Sequence, residues 1–468
     1  MSSNERFDAR LLATIAVVLL GGLLGILNST MAAVATGTLA SAFGTSLSVI
    51  GWASTGFLLA VTATIPFTTW AVDRYGGKRL WIAGLTIFLA GSLAAGLAWD
   101  VGSLIAFRVL QGVGAGLLDP LVLILLARAA GPSRAGRVMG LMGVVLSLGP
   151  VLGPIAGGAI LGTLTWRAMF LISVVVGAVA LLLALRVLPR DEAGRGGGPR
   201  LDVVGLALLG PGFAAVVLAL SQTAEQGAFA VWQVLLPFVV GGVLLIGYAV
   251  HARKASPLID LRLFANRGFS ASVTIMGLGG MGLFSALFAL PLYYQQAHGH
   301  GVLAAGLLMA PVGLGGSIAM PLAGRLSDRL GARGLATGGA IVAVVSAFAL
   351  TRVGADTPEV WPALAAFTIG LGSGFFSAPT MGSLYRTLPP PMVAQGSSVL
   401  YMLNQLGAAL GVALVTIVIQ SAADVITGFR GIFWLAVAAN VIVLAVIPLL
   451  PGRPGAQAPV RDELARTP

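Results

Sequence analysis

Two ionisable side chains stand well inside apolar runs, Arg108 and Asp119, eleven residues apart. At about 100° per residue, eleven residues make three helical turns plus about 20°, so the two share one face with about 16 Å of rise between them. They are too far apart to pair. A charge inside a lipid-spanning segment is costly and marks a pathway or a coupling reaction. A lone carboxylate there can take up and release a proton, provided partial removal from water lets it titrate near working pH. Asp119 is therefore the candidate proton carrier, and Arg108 is a candidate for a functional polar role. Asp119-Pro120 also fits the start of a helix, acid as cap and proline as first residue, so a capping role stays open.

Other polar and aromatic residues inside spans are candidates for lining a cavity: Asn28, Gln111, Tyr293, Gln295, Phe375, Phe376, Asn404 and Gln405. Each suits helix packing or interface anchoring equally well. Other chemistries find no residues. There is no cysteine and there are only three histidines, which excludes thiolate catalysis and cysteine-ligated metals and argues against a multi-histidine metal site. No phosphate loop is present, because Lys78 follows a glycine but precedes Arg79. No cofactor and no nucleotide are expected.

These residues need elements that hold them in lipid. Of 468 residues, 57% are apolar and 9% charged, against about 25% charged in a soluble domain. Fourteen apolar spans can be read, at 11–35, 48–70, 80–98, 102–127, 136–162, 166–188, 202–222, 231–251, 268–295, 302–324, 335–352, 360–384, 393–420 and 429–451. The net charge of +11 comes mainly from alternate loops. One set holds 23 of the 27 basic residues, the other only Arg167, Arg352 and Arg430. Basic loops stay cytoplasmic, so the charge is a topology signal, not a sign of nucleic-acid binding, and both termini are expected inside. The first span, with Arg6 and Arg10 before it and Ala33-Val34-Ala35 near its end, is longer than the core of a secretory signal and reads as an uncleaved span.

The chain repeats itself. Pro66 to Gly76 matches Pro321 to Gly331 at a constant offset of 255, pairing Asp73-Arg74-x-Gly76 with Asp328-Arg329-x-Gly331. Gly112-x-Gly114-x-Gly116 is echoed by Gly370-x-Gly372-x-Gly374. In the Asp-Arg-x-Gly turns, the acid can cap a neighbouring helix and the glycine permits the turn. Gly149, Gly153 and Gly157 fall on one face of the fifth span, beside Pro150, Pro154 and Gly158, and predict a hinge or a close-packed seam. The expected organisation is an N-terminal six-helix bundle at 1–190, a linker with two further spans at 191–265, a C-terminal six-helix bundle at 266–452 and a cytoplasmic tail at 453–468.

On these residues the chain resembles the major facilitator superfamily, and within it the 14-span drug:proton antiporters of the EmrB/QacA type. Asp73-Arg74-Tyr75-Gly76-Gly77-Lys78-Arg79 is similar to the family's loop 2–3 motif. Arg108-Val-Leu-Gln111-Gly112-Val-Gly114 is similar to its span 4 motif, whose arginine is linked to proton coupling. The Gly149–Gly158 run looks like the signature of the export branch. Trp166-Arg167-Ala-Met-Phe170 and Leu290-Pro291-Leu-Tyr293-Tyr294-Gln295 also fit this subgroup. Three positions depart from the pattern. Asn28 stands where the span 1 motif carries an aspartate, Thr69 stands where the loop motif begins with glycine, and no acid occupies span 10. The resemblance implies an all-α membrane protein of the major facilitator fold in the inner (cytoplasmic) membrane. It implies a monomer and not an enzyme, exporting small lipophilic drugs or antibiotics in exchange for protons. Asp119 is then the candidate replacement for the missing span 1 acid. Export of one endogenous metabolite, or uncoupled carriage, fits the same residues; a respiratory proton-pumping subunit would need intramembrane lysines that this chain lacks.

Overall fold

Short polar residues start several of the helices. Asp100, Asp202 and Asp424 accept hydrogen bonds from the backbone N–H of Ser103 (2.6 Å), Gly205 (2.8 Å) and Thr427 (2.9 Å), and Ser103 returns its hydroxyl to the Asp100 N–H, closing a capping box. Gly44, Gly131, Gly227 and Gly299 end helices at positive φ. The computed structural model describes residues 8–131, 134–189, 191, 200–253, 257–354 and 356–451. The tail expected at 453–468 lies outside them.

The helices are α1 (Ala9–Val34), α2 (Thr36–Phe43), α3 (Leu47–Tyr75), α4 (Gly77–Gly96), α5 (Val101–Ala130), α6 (Ala135–Thr163), α7 (Trp166–Val187), α8 (Val203–Gln226), α9 (Trp232–His251), α10 (Arg267–His298), α11 (Val302–Leu308), α12 (Ala310–Leu330), α13 (Ala332–Leu350), α14 (Val360–Thr387), α15 (Val393–Ser421) and α16 (Val425–Val446). No strand occurs among the described residues. Fourteen helices, counting α11–α12 as one span interrupted at Met309, are long and apolar enough to cross a membrane. Lipid is the solvent that fits their surface. Helix α9 buries only Val234, Gly241 and Tyr248, a stripe at seven-residue spacing. Its Trp232, Val239 and Ile246 are each more than half exposed, which water would penalise.

Helix α5 packs on α3 and α4, and α14 packs on α12 and α13. The repeated glycines make both contacts. A Cβ on Gly112 or Gly116 would collide with the backbone carbonyls of Phe57 or Val61 on α3, and one on Gly114 with the backbone at Phe88 on α4. A Cβ on Gly370 would collide with the Val312 carbonyl on α12, and one on Gly372 with the backbone at Ala343 on α13. In both copies the first glycine faces one neighbour and the second faces the other. The sequence repeat is thus a repeat of backbone-to-backbone seams. On α6, Gly149, Gly153 and Gly157 face Ile26, Thr30 and Met31 of α1. That run is a close-packed seam, and α6 passes through Pro150 and Pro154 without a break.

Helix α5 is also unbroken, from Val101 to Ala130 with Pro120 inside. Asp119 therefore starts no helix, and the capping alternative does not apply. Pro120 has no N–H for the carbonyl of Gly116, four residues back. Instead that carbonyl accepts a hydrogen bond from the Thr68 hydroxyl of α3 at 3.2 Å. A neighbouring hydroxyl makes the proline tolerable where no water can.

Candidate functional site

A cavity of about 350 Å³ lies at the centre of the helices. Its wall comes from α1, α3, α5, α6, α8, α10, α12, α14 and α15. The lining is mostly apolar (Phe57, Leu283, Phe284, Met320 and similar residues), with hydroxyls of Ser29, Thr30, Ser147, Ser221, Ser373 and Ser377 and the amides of Asn404 and Gln405. Among the described lining residues only Asp119 and Tyr401 can titrate, and Asp119 is the only carboxylate. Asp119 is half-buried, and it lines the cavity together with Tyr401 of α15. A pocket of this character, apolar with a few placed polar groups, is built to hold a small organic molecule.

Arg108 does not face this cavity. It is 1% exposed and sits behind α5. Its Nη1 donates to Asn28 Oδ1 and to Gln111 Oε1, each at 2.6 Å, and its Nε donates to the Ala53 carbonyl at 3.3 Å. The guanidinium lies 4.2 Å from the Phe57 ring centroid and 5.9 Å from that of Phe170. Its Nη2 is buried without a hydrogen-bond partner. Gln111 Nε2 passes the chain on to Ser92 at 2.6 Å, and Asn28 Nδ2 to Ser173 at 3.1 Å. This network ties α1, α3, α4, α5 and α7 around one cation that no described carboxylate neutralises.

Six of the eight residues expected to line the cavity stand elsewhere. Asn28 and Gln111 are spent on Arg108. Tyr293 is fully buried near the far end of α10, donating to the Gly354 carbonyl at 2.9 Å. Gln295, one turn from the end of that helix, is outside the lining. Phe375 packs with Met320, Ala323 and Ala378, and Phe376 with Ala340 and Ala343. Asn404 and Gln405 do line the cavity. Sequence reading missed Tyr401 beside them, although 401, 404, 405 and 408 follow the i, i+3, i+4, i+7 pattern of one helix face. It also missed Ser29, Thr30 and Ser221.

The two Asp-Arg-x-Gly turns do different work. Gly76 and Gly331 both adopt the required positive φ, 90° and 89°. Asp328 caps α6, accepting from the N–H of Gly136 and of Arg137, both at 3.0 Å, and from Arg386 Nη1 at 2.8 Å. Asp73 makes only an exposed pair with Arg128 at 2.9 Å. Arg74, Arg79 and Arg329 are exposed. The N-terminus of α4 is capped by Asp191, which accepts from the N–H of Lys78 (2.8 Å) and of Arg79 (3.0 Å). Near Asp73, Thr69 makes a buried hydroxyl–hydroxyl hydrogen bond with Ser398 of α15 at 2.7 Å. Gly136 and Gly140 of α6 also pack against Gly324 and Met320 of α12. These contacts close the end of the molecule that carries both turns, and the cavity lies beyond them.

One stability prediction follows from Asn28. Asn28→Asp keeps the side-chain shape and turns a neutral acceptor for Arg108 into a charged one. Hydrogen bonds involving a charge contribute more than neutral ones, and the change is expected to stabilise the fold by about 1 kcal/mol. Thermal unfolding in detergent reads this directly: the midpoint should rise, and a fall would mean that the pocket rejects a carboxylate.

A helical membrane protein with a central apolar cavity, internally repeated seams and one carboxylate facing the cavity is a transporter. The chain belongs to the major facilitator superfamily, whose family model, described as Major Facilitator Superfamily, matches residues 18–412. It is a transport protein rather than an enzyme, and a multi-pass protein of the inner membrane. It is 36% identical over 424 residues to the "Multidrug resistance protein B homolog" of Mycobacterium tuberculosis, covering 89% of this chain and 78% of the relative. It is 32% identical over 396 residues to the "Multidrug export protein EmrB" of Escherichia coli, covering 84% of this chain and 77% of that one. Among solved structures, the proton:xylose symporter XylE matches with a TM-score of 0.68 at 15% identity, covering 95% of this chain and 96% of that one, which establishes the shared fold.

Proposed function

We propose that this protein exports small lipophilic compounds in exchange for protons, by alternating access of the central cavity. The observation that carries this reading is the cavity itself: about 350 Å³, apolar in most of its lining, with Asp119 as the one carboxylate among the described lining residues. The relatives named for multidrug resistance and export support the substrate class. Residues 1–190 and 266–452 are proposed to move as two bundles, with 191–265 inserted between them. By the positive-inside rule we assign the closed end, and both termini, to the cytoplasmic side, with the cavity facing outward. Asp119 takes up the proton from that side. Arg108 is proposed to brace α1, α3 and α5 behind it. With inward proton movement, a 100 mV potential supplies about 2.3 kcal/mol per proton.

The test uses purified monomeric protein in proteoliposomes with a pH-sensitive dye. Adding a panel of lipophilic drugs should move protons against the direction of drug flux. Drug flux with no accompanying proton movement would replace antiport with uncoupled carriage.

A further inference from the structure

A second hollow, of about 570 Å³, is a groove between α13 and α14. It starts at the connection between the two helices, the end away from the Asp-Arg-x-Gly turns, and Leu350 and Ile341 mark about 14 Å of its length along α13. Small side chains, Ala349 and Ala365, leave room for it, and Val345 and Leu364 on its rim are 61% and 52% exposed. Its two serine and threonine hydroxyls within the helices are spent on the protein. The Ser346 hydroxyl is bonded to that of Thr368 at 2.8 Å, and Thr368 donates to the Leu364 carbonyl at 3.0 Å. The body of the groove therefore offers apolar surface. Its mouth does not, because Arg352 stands there with Trp361. Arg352 is exposed, and its guanidinium lies 5.3 Å from the Phe348 ring centroid. That guanidinium makes no hydrogen bond and no ion pair among the described residues. The two other arginines of the sparsely basic loops are occupied: Arg167 donates to the Ala98 carbonyl at 3.0 Å and Arg430 to the Val353 carbonyl at 2.8 Å. Val353 lines the groove, so Arg430 adds a second positive charge beside the mouth. Of the acids in the same connection, Glu359 is turned onto His300 and His298, and Asp356 lies outside the lining.

We propose that this groove binds an anionic glycerophospholipid. One acyl chain lies along the apolar floor between α13 and α14. The phosphate accepts hydrogen bonds from Arg352, whose planar fork matches two phosphate oxygens. Trp361 sits beside it at headgroup level. A zwitterionic lipid has the same chain but brings its own cation to the mouth, so Arg352 holds it less firmly. The bound lipid rests on α14, which with another face presents Ser373 and Ser377 to the central cavity. The site needs neither the drug nor the proton, so it stands apart from the transport reaction proposed for the cavity.

The test is native mass spectrometry of the full-length protein in detergent with equal amounts of phosphatidylglycerol and phosphatidylcholine of identical chains. The unchanged protein should retain phosphatidylglycerol at least five-fold better at its tightest site. Arg352→Gln should bring that retention down to the level of phosphatidylcholine, and Arg352→Lys, which keeps the charge and loses the fork, should fall between the two. Ala349→Phe, at an exposed position in the groove, fills the space for the chain and should lower retention of phosphatidylglycerol by at least five-fold with Arg352 still in place. Thermal unfolding without added lipid checks that each variant is folded; both positions are exposed, so the midpoints should match that of the unchanged protein. Equal retention of the two lipids by the unchanged protein, or a preference that survives Arg352→Gln, would overturn the proposal. A preference lost in Arg352→Gln but untouched by Ala349→Phe would also overturn it, because the arginine would then be drawing headgroups without the groove.

Discussion

Asp119→Asn is expected to abolish uphill export while leaving downhill carriage intact. Asparagine has the shape of the neutral acid, so the cavity should retain its form. What it loses is the ability to bind and release a proton. For a neutral drug exchanged against one proton, a 100 mV potential supports a concentration ratio of about fifty-fold in the wild type. In the variant that ratio should fall to one, and drug-dependent proton release should vanish. Counterflow of labelled drug should continue at a comparable rate. A variant that still concentrates drug would move the coupling site elsewhere. Arg108 would not be the first alternative, because it is walled off from the cavity by its own partners.

The second large effect is structural. Gly370→Leu should prevent the protein from reaching a stable fold. A Cβ at this position would strike the Val312 carbonyl of α12 and approach the backbone N–H of Gly316 within 3.0 Å. These are backbone atoms of a packed helix, which cannot swing aside as a side chain can. Overpacking of a core by flexible side chains costs about 1–3 kcal/mol, and separating two helices along a shared seam should exceed that. Gly338→Ala is the matched control, because nothing lies within 4 Å of its Cβ position. The pair is read by the yield of monodisperse protein after detergent extraction and by thermal unfolding. Gly370→Leu should be largely aggregated and Gly338→Ala indistinguishable from wild type. Equal behaviour of the two would show that the α12–α14 contact yields more readily than its backbone spacing implies.

The helices were legible because lipid imposes one simple demand, a long apolar run, and the fourteen runs read from sequence match the fourteen candidate membrane helices. The glycine echo was legible for a related reason: backbone contact admits no other side chain, so the same spacing recurs wherever the same seam is made. Asp119 stood out as a carboxylate in an apolar run. The cavity wall was much less legible. Polar residues in a span satisfy one another wherever they can, and Asn28 and Gln111 are consumed by Arg108 rather than offered to a ligand. One position along, Ser29 and Thr30 face the cavity instead. Which face of α1 looks inward is set by its packing on α6, which no single helix reveals. The continuity of α5 through Pro120 was hidden too, because the hydroxyl that makes it possible belongs to Thr68 of another helix.

Helix α8 lies against both α3 and α15 and contributes Leu220, Ser221 and Ala224 to the cavity wall. Its Ser221 hydroxyl is 3.5 Å from that of Thr55, and Glu225 accepts from the Ser48 hydroxyl at 2.7 Å. On the other flank α6 packs against α12 and α14. A compound dissolved in the bilayer therefore meets helix, not opening, on either side in this state. In the outward orientation proposed above, release from the cavity leads into water. For a series of drugs of rising oil–water partition coefficient, the off-rate from this state should follow the cost of hydrating each drug, and the most lipophilic members should be the slowest to leave.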